Sequence, residues 1–316
     1  MFFPEEKHEE FMGKDDREVC DTLKGRYGQS AICFPSSGRE DSFLVWIAKV
    51  KEWEEQKKVN VSYSIPERKS CEEREHGNMI SIFDFSGEIV GKKQIKSNFS
   101  FEFSETGIEE NNWEAEDYNT SSSVYRRYTK SEARIGKTDE IVRYAAGIVK
   151  EKGEAPENAK RIYDWVVENI SCKEGKRREK EIARVFEDKE GNVEEVNLLF
   201  IVLLRAVGIP ARAVSGAWGR KRQDIHFWTE FYLEGVGWVP ADPDKKMFGK
   251  LDNERVIFSK GENLYLEKAP EESEVFGIKY KRVLSMRPDA LYIDKKEKGF
   301  FVVRKSQYLI IKDSTK

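Results

Sequence analysis

Histidine and cysteine are scarce in this chain, with three and four among 316 residues. The cysteines sit at 20, 33, 71 and 172, and no two have CxxC spacing. That excludes a paired-cysteine zinc site and a dense disulfide framework. No metal and no cofactor are expected. No apolar run is long enough to span a bilayer. The first ten residues, MFFPEEKHEE, lack the basic-then-apolar order of a signal peptide. These absences predict a cytoplasmic protein with reduced thiols and no membrane partner. Nor is there a surplus of one charge. The 55 Lys and Arg nearly balance 58 Asp and Glu, for a net charge of -3. A dedicated nucleic-acid binder would show a basic excess, so no nucleic-acid partner is expected.

Charge itself is plentiful at 36%, against a usual quarter or so. Lys and Glu dominate while Gln is rare, a lean toward heat-adapted composition. Hydrophobic residues make up 39%, enough for real cores in one large domain or two to three small ones. No internal repeat is visible.

Periodicity divides the chain. Residues 1–58 read as a polar segment followed by a helix, because Phe43, Trp46, Ile47, Val50 and Trp53 recur at helical spacing behind Asp41 or Ser42 as a cap. From 59 to 128 the period is two: Val59, Val61, Tyr63 and Ile65 alternate, as do Phe99, Phe101 and Phe103. With the run Met79 to Phe85, this predicts a β-rich, sandwich-like region with one wet face. Glu105 to Ser123 reads as an acidic loop. Thr138 should cap a helix with Ile141, Tyr144, Ala145, Ile148 and Val149 on one face, ended by Gly153. Pro156 suits the first turn of the next helix, with Ala159, Ile162, Tyr163, Val166 and Ile170 inward. Residues 171–190 look like a charged connection. Residues 251–316 return to β patterning.

Between them, 129–250 carries the informative motifs. Asn192 is a helix N-cap with Glu195 as its capping-box partner. The helix that follows is apolar on nearly every side, so it should be central and buried. Then come Leu203-Leu204-Arg205-Ala206, Gly208-Ile209-Pro210-Ala211-Arg212, His226-Phe227-Trp228, and Gly237-Trp238 through Asp242-Pro243. Together these resemble the core of the transglutaminase-like superfamily of cysteine enzymes, over roughly 125–250. The resemblance implies an α+β, papain-like core: a central helix packed on an antiparallel sheet, flanked by β-rich regions. It also implies a nucleophilic cysteine at the start of the central helix, with His226 as base and Asp242 as its orienter.

The cysteine is missing. Family spacing places the nucleophile at Val193, and neither Asn192 nor Glu194 is a cysteine. Valine has no nucleophilic atom. A thiol at that position would gain from the helix dipole and an imidazolium, which favour thiolate. Cys172, read as the end of the preceding helix, is the nearest substitute, though a cysteine there is more often a small buried hydrophobe.

His226 starts an alternating strand. A turn on Leu233-Glu234-Gly235, with Gly235 left-handed, pairs Tyr232 with Val236 and sets His226 opposite Asp242. Imidazole Nδ1 would then donate to the carboxylate. A turn using Gly237 instead breaks that pairing, and the resemblance favours the first register. Trp218, Trp228 and Trp238 either line a peptide-binding groove or fill the core. Arg205 and Arg212 read as structural, and Arg220-Lys221-Arg222 as a solvated loop.

Two functions stay open. In one, thiol catalysis is lost and the cleft binds a peptide or protein, or serves structure alone. In the other, the chain is an active thiol protease, amidase or transamidase relative with another nucleophile, such as Cys172 or a water activated by His226 and Asp242.

Overall fold

The computed structural model describes residues 22–34, 44–84, 91–103, 106–107, 113–132, 135–150, 154–173, 180–218, 224–252, 254–265, 274–275, 278–279, 282–283, 292–294 and 301–312. In the N-terminal half the strands are β1 (Thr22–Phe34), β2 (Leu44–Lys49), β3 (Gln56–Tyr63), β4 (Lys69–Glu72), β5 (Met79–Asp84), β6 (Gly91–Phe103) and β7 (Thr106–Gly107). Strands β1–β6 enter two four-stranded sheets, while β7 pairs with Lys250–Leu251. One has the order Phe301–Lys312, β1, β6, β3, and the other Tyr292–Asp294, β2, β5, β4. Strands from near both ends of the chain therefore share sheets with strands from the interior.

The helix expected around Phe43–Trp53 is instead strand β2. Trp46, Ile47 and Ala48 are consecutive and all buried. A strand covered on both faces loses its alternation, and a short apolar run then reads equally well as helix or strand. Asp41, Ser42 and Phe43 lie outside the described residues, as do Cys20, Phe85 and Gly153.

Helices follow: α1 (Ser123–Tyr128), α2 (Asp139–Ile148) and α3 (Ala155–Asn169). Thr138 caps α2 through its side chain, and Pro156 lies in the first turn of α3. The expected inward face of α3 is buried. Tyr144 on α2, by contrast, is among the exposed large hydrophobics. Helix α1, inside the stretch read as β, is capped by Ser122, whose hydroxyl accepts from the Tyr125 amide.

The charged connection hides structure of its own: β8 (Ser171–Cys172), α4 (Ile182–Asp188) and β9 (Glu190–Gly191). Ile182, Val185 and Phe186 form a short inward stripe that surrounding charges mask. Cys172 thus lies on a strand, not at a helix end, paired in parallel with Gly191.

Next comes α5 (Val193–Ala206), capped by the expected reciprocal pair of Asn192 and Glu195. It packs on an antiparallel five-stranded sheet. That sheet uses β10 (Ala211–Trp218), β11 (Asp224–Leu233), β12 (Gly237–Asp242), β13 (Met247–Phe248) and, after the short β14 (Lys250–Leu251), β15 (Arg255–Lys260). Its order is β13, β12, β11, β10, β15. One core joins α5 and the other helices to Ala211, Phe231, Val239 and Ala241. A second places Val214, Trp228 and Phe258 against Phe99 and Phe101 of β6. The sheet is buried on both faces, which is why β15 has no exposed position.

Two buried amides lock the N-terminal strands onto β15. Gln56 accepts from the Ile257 amide, and Asn78 both accepts from and donates to the Lys260 backbone. His76 joins the same seam, one ring nitrogen against the Tyr128 hydroxyl and the other against the Glu262 carbonyl, each at 3.0 Å. Burial, with Arg127 nearby, pushes its pKa down to about 3, so it stays neutral. Gly261 has φ +86, and a β-carbon there would sit 2.0 Å from the His76 ring, so only glycine fits.

Candidate functional site

The site forms where β11 and β12 part. Their ladder runs from Leu233↔Gly237 through Tyr232↔Trp238 to Thr229↔Ala241. The expected register was therefore off by two residues: Tyr232 faces Trp238, not Val236, and His226 does not sit directly opposite Asp242. Gly235 does adopt the left-handed conformation, at φ +80, but Gly237 is also left-handed, at φ +104. The loop is still three residues long, but it is Glu234-Gly235-Val236, shifted one residue along the chain.

The two side chains still meet. His226 Nε2 lies 2.6 Å from Asp242 Oδ2, so the nitrogen engaged is Nε2 and not the expected Nδ1. Both residues are buried, at 4% and 0% exposure. Arg255 Nη1 donates to the same Oδ2 at 2.8 Å, and the Lys245 amide donates to Oδ1 at 3.1 Å. Burial alone would raise the Asp242 carboxyl. The His226 hydrogen bond and the charges of His226 and Arg255 outweigh it and hold the group below its usual range.

Asn197 brings α5 to this opening. Its Nδ2 donates to the Val193 carbonyl at 2.9 Å and to the Phe227 carbonyl at 3.0 Å, while its Oδ1 accepts from Thr229 Oγ1. One amide nitrogen thus touches both Val193, where the resemblance would put a nucleophile, and the residue after His226. Val193 is the first residue of α5 and is half-buried.

Cys172 approaches from the other side. Its pairing with Gly191 sets it near the start of α5, where the Asp244 carboxylate acts on its thiol. Burial first, and then Asp244, push that thiol up to about 12. At neutral pH it is the protonated form, the opposite of what a nucleophile needs. Asp244 in turn pairs with Lys245 at 2.9 Å. Ligand atoms of His226, Asp242 and Asp244 all lie within 4.8 Å of one another.

The three tryptophans divide. Trp218 is half-buried and lies 6.0 Å from the His226 ring, centre to centre, with the Lys245 ammonium 4.2 Å over it. Trp228 stacks on the other side of His226 at 6.4 Å but is core, at 2% exposure. Trp238 is not grouped with His226 by any ring contact among the described residues. It packs on Tyr128 and Tyr232 under the Arg212 guanidinium, 3.8 Å from its centroid. Gly216, opposite His226, makes room for Trp228: a β-carbon there would lie 2.5 Å from that ring and 2.2 Å from the Val256 carbonyl.

Arg205 and Arg212 are structural, as expected. Arg205 is fully buried and bonds the Ala211 carbonyl, Glu132 and Glu262. Arg212 pairs with Glu230 at 2.7 Å. Arg220, Lys221 and Arg222 lie outside the described residues. Arg255, Asn197, Asp244 and Lys245 were missed by sequence reasoning. Asp244, two residues after Asp242, and Asn197, a lone amide on an apolar helix, were visible signals. Arg255 carried none.

Residues 142–243 match the family model described as the transglutaminase-like superfamily. An uncharacterized protein of Haemophilus influenzae is 29% identical over 150 aligned residues, taking in 37% of this chain and 39% of that one. The present chain thus covers well under half the length of that relative. A crystal structure from Cytophaga hutchinsonii, described as a candidate cysteine protease, superposes over 93% of this chain and 99% of its own, with 12% identity and a TM-score of 0.61. The periplasmic domain of TgpA from Pseudomonas aeruginosa is 12% identical over 73% of this chain and 89% of that one, with a TM-score of 0.37. The family match over α2 to β12, together with the central helix on its antiparallel sheet, makes this an α+β protein that carries a transglutaminase-like domain with a papain-like core.

Proposed function

We propose that this is a transglutaminase-like domain protein that has lost thiol catalysis and keeps its cleft for binding a peptide or protein. The observation that carries the reading is Val193 at the first turn of α5, tied through Asn197 to the strand that holds His226. The buried His226–Asp242 hydrogen bond supports reading the two as base and orienter, and the position they would serve holds the two methyl groups of Val193. The half-buried Trp218 and the acidic–basic pair Asp244–Lys245 line the approach to His226 and supply apolar and charged contacts for a peptide.

A second reading has one observation in its favour. Cys172 reaches the Asp242–Asp244 region by its strand pairing with Gly191, so a displaced thiol is at hand. Two carboxylates beside it disfavour thiolate, which weighs against that use.

The test is amide hydrolysis and ammonia release by the purified chain on glutamine-containing peptides. The expected result is no turnover that His226→Ala removes. Turnover lost in both His226→Ala and Cys172→Ser would replace this reading with the second one.

A further inference from the structure

We propose that Tyr144, Trp165 and Phe186 form a binding cage for the methylated ammonium group of a small zwitterion, a quaternary ammonium carboxylate, in which Lys189 is the chain's own occupant. None of these residues belongs to the His226 cleft, and the site does not depend on what that cleft does.

Three helices supply the walls. Tyr144 comes from α2, Trp165 from α3 and Phe186 from α4. The rings meet pairwise, with centroids 5.0 Å apart for Tyr144 and Phe186, 5.2 Å for Tyr144 and Trp165, and 6.0 Å for Trp165 and Phe186. The Lys189 ammonium lies 4.0 Å from the Phe186 centroid, 4.7 Å from Trp165 and 5.4 Å from Tyr144. It makes no ion pair among the described residues, and Glu140 acts on it only from beyond ion-pair reach. One cation is thus held by three aromatic faces. The negative faces of such rings attract cations, and quaternary ammonium groups are what aromatic cages of this kind take.

Lys189 is poorly matched to its place. It ends α4 in the left-handed conformation, at φ 54, where glycine or asparagine is the usual residue. Burial works against its charge and lowers its pKa. Leaving the cage returns that ammonium to water and breaks no hydrogen bond, so a better cation can displace it.

The cage opens outward. Tyr144 is 42% exposed, and with Trp165 it also walls a groove of about 660 Å³ between α2 and α3. Gly147 keeps that groove clear, since a β-carbon there would meet nothing within 4 Å. Charge then selects the ligand. Arg143 and Arg161 line the groove, and neither has an ion-pair partner among the described residues. Asp164 is already taken by Lys160 at 2.5 Å, and Glu168 offsets only one guanidinium. Arg161 stands four residues before Trp165 on α3, so the two share a face. Guanidinium repels a plain cation and bonds a carboxylate. A quaternary nitrogen in the cage with a carboxylate a few bonds away satisfies both halves.

The experiment titrates the full chain into glycine betaine and follows the N-methyl proton signal by NMR. The expected result is one saturable site with an upfield ring-current shift. Lys189→Asn removes the competing ammonium and suits the left-handed backbone. If the lysine fills the cage about nine-tenths of the time, this variant should bind about tenfold more tightly. Tyr144→Leu should abolish the shift while keeping the wild-type circular dichroism. Arg161→Gln should weaken glycine betaine about threefold and strengthen tetramethylammonium, a split that a purely structural role for Arg161 would not produce. No saturable binding by either the wild-type or the Lys189→Asn protein overturns the site. Binding by Lys189→Asn alone means that the lysine seals the cage, and overturns a ligand role in the native chain. A shift that survives Tyr144→Leu overturns the cage, and tetramethylammonium bound as tightly as glycine betaine overturns the zwitterion.

Discussion

A thiol placed at 193 asks whether His226 and Asp242 can serve a nucleophile there. The variant is Val193→Cys, with Cys20, Cys33, Cys71 and Cys172 changed to Ser. A free thiol, with a pKa near 8.5, is about 3% ionised at pH 7. The first turn of a 14-residue helix stabilises a partly buried anion by up to about 2 kcal/mol. At about 1.4 kcal/mol per unit, that alone lowers the pKa by roughly one and a half units. Protonated His226 would lower it further. Asp242 and Asp244 oppose the shift, but Arg255 and Lys245 pair with them and blunt their charge. The expected midpoint is therefore about 7, with about half the thiol ionised at neutral pH. The assay is the pH dependence of iodoacetamide alkylation, to which the half-buried position 193 is accessible. The midpoint is the decisive reading and not the rate. A less basic thiolate attacks more slowly, so with a Brønsted slope of about 0.5 the rate at pH 7 rises only about threefold. A midpoint at or above about 8.5, or one that His226→Ala does not raise, would refute the claim that 193 adjoins a working imidazole.

Three further predictions concern the supports of the site. Asn197→Leu removes three hydrogen bonds, two of them buried, and leaves the Phe227 carbonyl and the Thr229 hydroxyl without their Asn197 partner, so urea unfolding should show a loss of about 3 kcal/mol. An unchanged unfolding midpoint would mean that Asn197 does not hold α5 to β11. Gly216→Ala drives a β-carbon into the Trp228 ring and the Val256 carbonyl, so it should cost about 3 kcal/mol and perturb tryptophan fluorescence. Glu230 is buried, which alone would raise its pKa, but Lys260 and Arg212 outweigh burial and hold it down to about 2. Its folded pKa lies below the unfolded one, so its contribution is full above about pH 4.3 and fades as pH falls toward 2. Glu230→Gln should flatten that acid limb of the stability profile. An acid limb as steep as wild type would contradict the assignment.

What was legible in the sequence depended on how local each signal is. The α5 capping box, the Pro156 start of α3 and the Gly235 turn need only a few neighbouring residues, and all three are present. Strand β2 misled because burial on both faces erased its alternation, and α4 was hidden because three inward residues are outnumbered by charged ones. The hairpin register slipped by two, yet His226 still reaches Asp242. A two-residue slip keeps both side chains on the same faces, and the ladder ends before either residue, so side-chain reach decides the contact and not cross-strand pairing. Arg255, which anchors Asp242, acts across two strands and leaves no mark in local spacing.

That anchoring bears on what the His226–Asp242 pair is for. Asp242 and Arg255 are fully buried, and His226 nearly so. Removing one partner from such a cluster strands a buried charge at a cost of about 3–5 kcal/mol, a large share of a typical domain's stability. Replacing a half-buried first-turn cysteine by valine strands nothing. Stability alone is therefore enough to retain the aspartate and arginine in a chain with valine at 193. The informative residue is His226, whose Nδ1 has no hydrogen-bond partner among the described residues and takes no part in the Asp242 bond. A glutamine at 226 can donate to Asp242 but lacks the imidazole lone pair. If His226→Gln keeps full thermal stability while abolishing the low thiol midpoint of the Val193→Cys protein, the imidazole serves chemistry at position 193. If stability falls with the same substitution, His226 belongs with Asp242 and Arg255 to the scaffold.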